Sequence, residues 1–217
     1  MPTNSARARL DLGKLVMIPV AALMLALDLA TLARHGAAGG VSGALHWLGV
    51  LGFCAFYSLV MWCYLRRGPA LATSRSATAH AAAFIATLMP FPLPLLQATS
   101  PGLERQLASS ALVLAGVAWS VWALHSLGPN LSAIAQARGV VERGPYRLVR
   151  HPLYTGEMLS ALGLAIAAWS PASAGLWLAL CGLQAYRAMR EEQVLLLALP
   201  TYRAYRVRTA ALLPGIF

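Results

Sequence analysis

Four long apolar runs, Leu15–Ala33, Val41–Leu65, Ala77–Ala98 and Leu107–Leu127, alternate with short polar breaks along the first part of the chain. Each approaches or exceeds the roughly 20 residues a helix needs to cross a hydrocarbon core about 30 Å thick. Two shorter runs follow, Leu153–Ala168 and Ala172–Leu183, with "WSPAS" between them. Lipid gives backbone groups no partners, so a membrane-crossing chain must be helical or a closed barrel, and unbroken apolar runs lack a barrel's alternation. The pattern predicts an all-α fold, a polytopic transmembrane helical bundle of five to six membrane segments. "PFPLPLL", ending at Leu96, stops the regular part of the third run, because three alternate prolines cannot hold a helix ladder. Trp47, Trp62, Trp119 and Trp122 fall towards run ends, where an amphipathic ring prefers the interface.

The polar positions divide the chain unevenly. Residues 1–127 read as a four-span scaffold, and residues 128–217 as a long loop, a helical hairpin and an amphipathic tail, integrated into one domain. The connection "LGPNLSAIAQARGVVERGPYRLVRHP" is broken by Pro129, Gly139, Gly144–Pro145 and Pro152. A loop of that length in a compact protein is usually functional or disordered, and its Tyr, Leu and Val content argues against disorder. The hairpin turns at Ser170–Pro171. Its first arm, about 16 residues, reaches roughly 24 Å, short of a full crossing. Its second arm becomes polar from Gln184 and is expected to run on as one helix to about Ala198. The tail "PTYRAYRVRTAALLPGIF" reads as a short helix opened by Pro200, with Tyr202 and Tyr205 on one face, and an interfacial anchor is its plainest role.

Composition and charge refine this picture. Of 217 residues, 59% are hydrophobic and 11% charged, against about a quarter charged in soluble domains. The net charge of +10 could suggest nucleic acid, but fifteen of the 17 basic residues fall in alternate loops, leaving only Arg34 and Arg105 opposite. That is the positive-inside pattern. It places both termini and the long loop in the cytoplasm and makes the lipid bilayer, not nucleic acid, the partner. The first run follows a basic leader but is interrupted by Asp28 without a convincing cleavage site, and reads as a retained anchor. Cys54, Cys63 and Cys181 lie in apolar runs without CxxC spacing. Asp28, His46, His80 and His125 are the polar residues in or near the spans. Interhelical hydrogen bonding is the ordinary role for the histidines, and Asp28, costlier in lipid, invites more.

Two polar clusters then meet. At 100° per residue, Gln184, Arg187 and Glu191 form one stripe of the second arm, with Glu192 beside it. A solvated helix with an Arg187–Glu191 pair would account for this alone. The hairpin, however, returns the stripe to the membrane face that carries Tyr146, His151, Tyr154 and Glu157. The convergence predicts a pocket at the cytoplasmic mouth, open to a polar ligand from water and to an oily one from lipid. Glu157 fits either a bond within the hairpin or the pocket wall.

The pieces "GPYRLVRHPLYTG" and, further on, "R…EE…L…YRAYR…LLPG" resemble the C-terminal signature of isoprenylcysteine carboxyl methyltransferases and their bacterial relatives, with phospholipid methyltransferases more distant. The likeness covers roughly Leu127–Phe217. Its combination of Gly144, Pro145 and Tyr146, of Arg150, His151, Pro152 and Tyr154, and of Glu191 with Glu192 is specific at this spacing. One departure is Ala198–Leu199, where the family has a Phe-Gly pair. The resemblance implies an integral membrane enzyme, expected in a bacterial inner membrane, that uses S-adenosyl-L-methionine. It implies cofactor binding by Gly144, Tyr146, His151, Tyr154 and Glu192, and places Arg187 and Glu191 at the reacting end as catalytic residues.

That chemistry suits the residues. A sulfonium, an amino group, a carboxylate and ribose hydroxyls call for carboxylates, basic donors and aromatic walls together. In-line methyl transfer needs no metal, and no metal set is evident. The expected substrate is a lipophilic small molecule or a prenylated one, with carboxyl O-methylation of an isoprenylcysteine-type acceptor leading. Arg187 would orient a carboxylate. A phospholipid or other lipid or thiol acceptor is the alternative, and then Glu191 or His151 would be candidate bases. An NADPH-dependent sterol-type reductase would need more basic and hydroxyl residues for the 2′-phosphate. A small transporter would need repeat symmetry and midplane polar sites, whereas the polar residues here crowd one face.

Overall fold

The computed structural model describes residues 11–34, 40–96 and 101–215. The leader residues Arg7 and Arg9, and positions 97–98 at the end of the third apolar run, lie outside the described residues. The chain forms α1 (Leu12–Arg34), α2 (Gly40–Arg66), α3 (Ala77–Leu88), α4 (Leu103–Leu127), α5 (Pro152–Ala167), α6 (Pro171–Ala198) and α7 (Tyr202–Arg208). It is an all-α membrane bundle.

Among the described residues, three helices, α1, α2 and α4, are long and apolar enough to cross a membrane on their own, and α3 is a shorter apolar helix beside them. The proline stretch explains α3, which stops after 12 residues and gives way to a turn and a 3-10 segment at Leu93–Leu96. At 1.5 Å per residue it reaches about 18 Å. Helix α5 has 16 residues, as read from the sequence. Helix α6 runs unbroken for 28 residues and ends at Ala198, so its polar half extends beyond its apolar one. Ser170 caps it in a reciprocal capping box with Ser173, fixing the hairpin turn.

Helices α4 and α5 pack nearly backbone to backbone. A Cβ added at Gly116 would lie 2.7 Å from Gly156 O, and one at Gly156 would lie 2.9 Å from Gly116 O. Small residues give membrane helices this approach where lipid offers no hydrophobic drive for association. Ser109 Oγ adds a hydrogen bond to Gly163 O (2.8 Å), and Trp119 Nε1 donates to Pro152 O (2.9 Å). Helix α5 is thereby held at both ends. α1 lies at the edge, with much of its apolar surface facing outwards.

The long loop is ordered by bonds the sequence did not announce. A two-residue ladder pairs β1 (Ala72–Thr73) with β2 (Gln136–Ala137), antiparallel, tying it to the segment before α3. Arg67 reaches Asp11 and the Leu131 carbonyl (3.2 Å), while Tyr64 OH accepts from Ala133 N (2.8 Å). The tail closes the other side. Arg150 N donates to Ala210 O (2.8 Å) and His151 N to Ala211 O (3.0 Å). Tyr202 and Tyr205 are both buried, in a cluster with Ala137 and Leu195. The tail is a clasp on the loop, packed through the tyrosine face read from the sequence.

Candidate active site

The start of α5 sets the first group of side chains. His151 precedes the helix, and Pro152 takes its first position, where a missing N–H costs nothing. Three residues on, Tyr154 stacks on the His151 ring at 5.4 Å between centroids and 3° between planes. Helix α6 supplies the second group. Tyr154 OH donates to Glu191 Oε2 at 2.8 Å, and the Arg187 guanidinium lies 4.6 Å from the Tyr154 ring centroid. Tyr154 therefore joins the acidic and basic members of the α6 stripe.

The two adjacent glutamates have different surroundings. Glu191 lines a cavity between the loop, α6 and α7, together with Tyr146, Arg150, His151 and Tyr154. Glu192 is not among its lining residues. It accepts from Arg150 Nε at 2.6 Å, has His151 Nε2 at 3.2 Å, and pairs with Arg206 Nε at 2.9 Å. Burial pushes the Glu192 carboxyl up, but His151 and Arg150 more than reverse this by hydrogen bonding and charge, holding it at about 2. Glu192 thus fixes the orientation of His151 and ties loop, helix and tail together. Arg150, singled out only as part of the motif, is buried and also donates to the carbonyls of Arg206 (2.9 Å) and Thr209.

Gly144 stands apart from the cavity. Its φ of +60° and its contact with Ser126, which any Cβ would overlap, make it the turn residue that brings Tyr146 in against α4. Tyr146 is buried on the cavity wall, and its carbonyl accepts from Tyr205 OH at 2.6 Å.

Arg187 lines a second, larger chamber inside the bundle, about 450 Å³ in volume. Its guanidinium donates to Gln184 Oε1 (2.9 Å) and Ala133 O (3.2 Å), and Gln184 Nε2 donates to Glu157 Oε2 (2.5 Å). Glu157 Oε2 also lies 3.9 Å from Arg187. Both readings of Glu157 hold together: it bonds within the hairpin, and it lines the chamber. The rest of that wall is mostly apolar, from α1, α2, α3 and α5. Leu131, Ser132, Leu153 and Tyr154 border both cavities, so the two meet at Tyr154.

The first cavity suits a cofactor such as S-adenosyl-L-methionine by its donor set. Arg138 Nε and Tyr202 OH, on lining residues, are buried without a hydrogen-bond partner among the described residues. An anionic or hydroxyl-bearing ligand would satisfy them. Glu191 offers an acceptor, and four tyrosines with His151 offer aromatic faces. The cavity's enclosed volume is about 70 Å³, below the few hundred typical of ligand pockets.

Comparison with known families agrees with this geometry. Residues 105–198, from α4 to the end of α6, match the phospholipid methyltransferase family model. That family includes isoprenylcysteine carboxyl methyltransferases, so the resemblance read from the motifs holds over this segment. The match points to a membrane methyltransferase acting on lipid-like substrates, and the helices able to cross a membrane fit an integral membrane protein. No curated protein matches the chain.

Proposed function

We propose that the chain is an S-adenosyl-L-methionine-dependent methyltransferase whose lipophilic acceptor occupies the chamber inside the bundle. The observation that carries this is the shared wall, Tyr154 included, between a cavity framed by hydrogen bonds and a larger, mostly apolar one. The cofactor, when bound, supplies a methyl group activated on a sulfonium. Arg138 would receive its carboxylate, Glu191 its amino group or ribose hydroxyls, and Tyr146, Tyr154 and His151 its apolar and cationic faces. Glu192 and Arg150 act as positioning residues that hold His151. Catalysis then rests on alignment and water exclusion.

Arg187 and Glu157 stand on the acceptor side. A carboxylate acceptor, of the isoprenylcysteine type, needs no base, and Arg187 would orient it. A protic acceptor, a lipid amine or thiol, must lose a proton, and Glu157 is the carboxylate facing the chamber. Its own attachment to Gln184 and approach to Arg187 mean that a carboxylate acceptor would compete for one cation. That favours the protic acceptor, with Glu157 as base in place of Glu191 or His151. The positive-inside pattern supports a site on the cytoplasmic face of the membrane.

Titration with S-adenosylhomocysteine and, separately, NADPH tests the reaction class. A methylation screen with labelled cofactor over prenyl-cysteine, phosphatidylethanolamine and small thiols tests the acceptor. Binding of NADPH alone would overturn the methyltransferase reading. Methylation of prenyl-cysteine alone would return the acceptor to a carboxylate.

A further inference from the structure

The acceptor chamber has a second polar group that the proposed reaction leaves unused. Helix α1 contributes Met17, Val20, Ala21, Met24, Leu27 and Asp28 to its wall, a stripe at helical spacing with the carboxylate at one end. Met17 and Leu153 pack against the same cluster around Tyr64 and Leu131, next to Tyr154. From Met17 to Asp28 the helix rises about 16 Å, and from Leu153 to Glu157 about 6 Å. Asp28 therefore stands about three turns of α1 from that end of the chamber, and Glu157 about one turn of α5 from it. Tyr57, from α2, lies within electrostatic reach of both carboxylates.

Asp28 Oδ2 is buried and has no hydrogen-bond partner among the described residues. A carboxyl group five residues inside an apolar span is costly and is ordinarily paired. Met24, Leu27 and Phe53 line the same chamber, and Cys54 and Tyr57 are titratable groups in electrostatic reach of Asp28. Arg187, the charged donor on the chamber wall, is occupied at the other end.

We infer that Asp28 is a distal recognition site for the acceptor, which carries a hydrogen-bond donor, a hydroxyl or an amine, at the end remote from its methyl-accepting group. This rests on the chamber being the acceptor site. It makes the substrate a lipophile with two polar ends. A methyl-ended chain would leave Oδ2 orphaned, and an anionic end would be desolvated with no cation beside it. One hydrogen bond corresponds to roughly two- to tenfold in affinity.

The test measures binding of three single-chain alkylamines of equal length to the full chain in lipid nanodiscs. Their far ends are methyl, hydroxyl and carboxylate, and S-adenosylhomocysteine binding is read in parallel. The hydroxyl-ended probe is expected to bind roughly two- to tenfold tighter than the methyl-ended one, with the carboxylate-ended probe weakest. Asp28→Leu should remove the hydroxyl preference and Asp28→Asn should reduce it, with S-adenosylhomocysteine affinity unchanged in both as the check on folding. Equal binding of the hydroxyl and methyl ends in the unaltered chain, no binding of either, or a hydroxyl preference that survives Asp28→Leu overturns the inference. If the preference stands while S-adenosylhomocysteine does not bind, the distal site holds and the methyltransferase reading falls.

Discussion

The two cavities share four wall residues but are built differently. The smaller is framed by ion pairs and hydrogen bonds that converge from the loop, α6 and the tail: Arg150, His151 and Arg206 on Glu192, and Tyr154 on Glu191. The larger is framed by apolar faces of α1, α2, α3 and α5, with one bonded polar group, Arg187–Gln184–Glu157, at its inner end. A fixed, directional wall suits a ligand of constant chemistry. An apolar wall with few polar points selects by shape and by where those points fall. On the proposed reading, damage to the first should be read in folding and cofactor affinity, and damage to the second in turnover and acceptor choice.

The largest effect is expected at Glu192. Glu192→Ala leaves the Arg150 guanidinium buried without its carboxylate, which costs on the order of 3–5 kcal/mol. Thermal unfolding should fall steeply, and S-adenosylhomocysteine affinity should fall with it. The same pair sets an acid limit. The folded carboxyl sits at about 2, below an unfolded value of about 4.3, so its stabilisation is complete above roughly pH 5 and is lost as pH falls towards 2. In Glu192→Gln that pH-dependent loss should be absent. An unchanged acid profile would show that the cluster does not hold the loop.

Next comes Arg187, on the chamber side. Arg187→Ala is expected to lower turnover by about a hundredfold or more, since it strips Glu157 and Gln184 of their cation. S-adenosylhomocysteine affinity should stay within a few-fold, because Arg187 does not line the smaller cavity. Partial rescue by Arg187→Lys would point to charge, and no rescue to the planar fork lying over Tyr154. If cofactor affinity collapsed along with turnover, the division between the two cavities would be wrong.

The same contrast governs what the sequence made legible. Turn residues and close spacing showed the hairpin, the run of α6 to Ala198 and the convergence of Tyr154 with the Glu191 stripe. The separate surroundings of Glu191 and Glu192 were not legible. Neighbours on a helix point about 100° apart, and the rotation that decides which meets the cavity is set by packing. Gly144 shows the reverse: a motif glycine whose requirement is contact with Ser126, invisible until α4 is placed against the loop. The chamber was the least legible, because Met17, Phe53 or Leu164 on a cavity wall reads like any lipid-facing residue. Asp28 stood out only as a cost, and its orphaned oxygen appears only once α1 and α2 are assembled.

Tyr154, at the junction, should give a smaller and mixed effect. Tyr154→Phe keeps the ring under Arg187 and against His151 but removes the bond to Glu191, a loss of about tenfold in S-adenosylhomocysteine affinity. Acceptor binding should change little. A change confined to acceptor binding would place the hydroxyl on the chamber side instead.

The smallest effect sharpens the claim that the tail is a clasp. Tyr205 is buried, and its hydroxyl donates to the Tyr146 carbonyl at 2.6 Å, joining α7 to the turn that Gly144 begins. Tyr205→Phe preserves the packed ring and deletes that one neutral hydrogen bond, about 1 kcal/mol. If ligand entry parts the tail from the loop, a weaker clasp acts on both states. It should lower the unfolding temperature by a few degrees while speeding cofactor association, measured by stopped-flow fluorescence. Slower association would mean that the tail presents the loop to the ligand instead of closing over it.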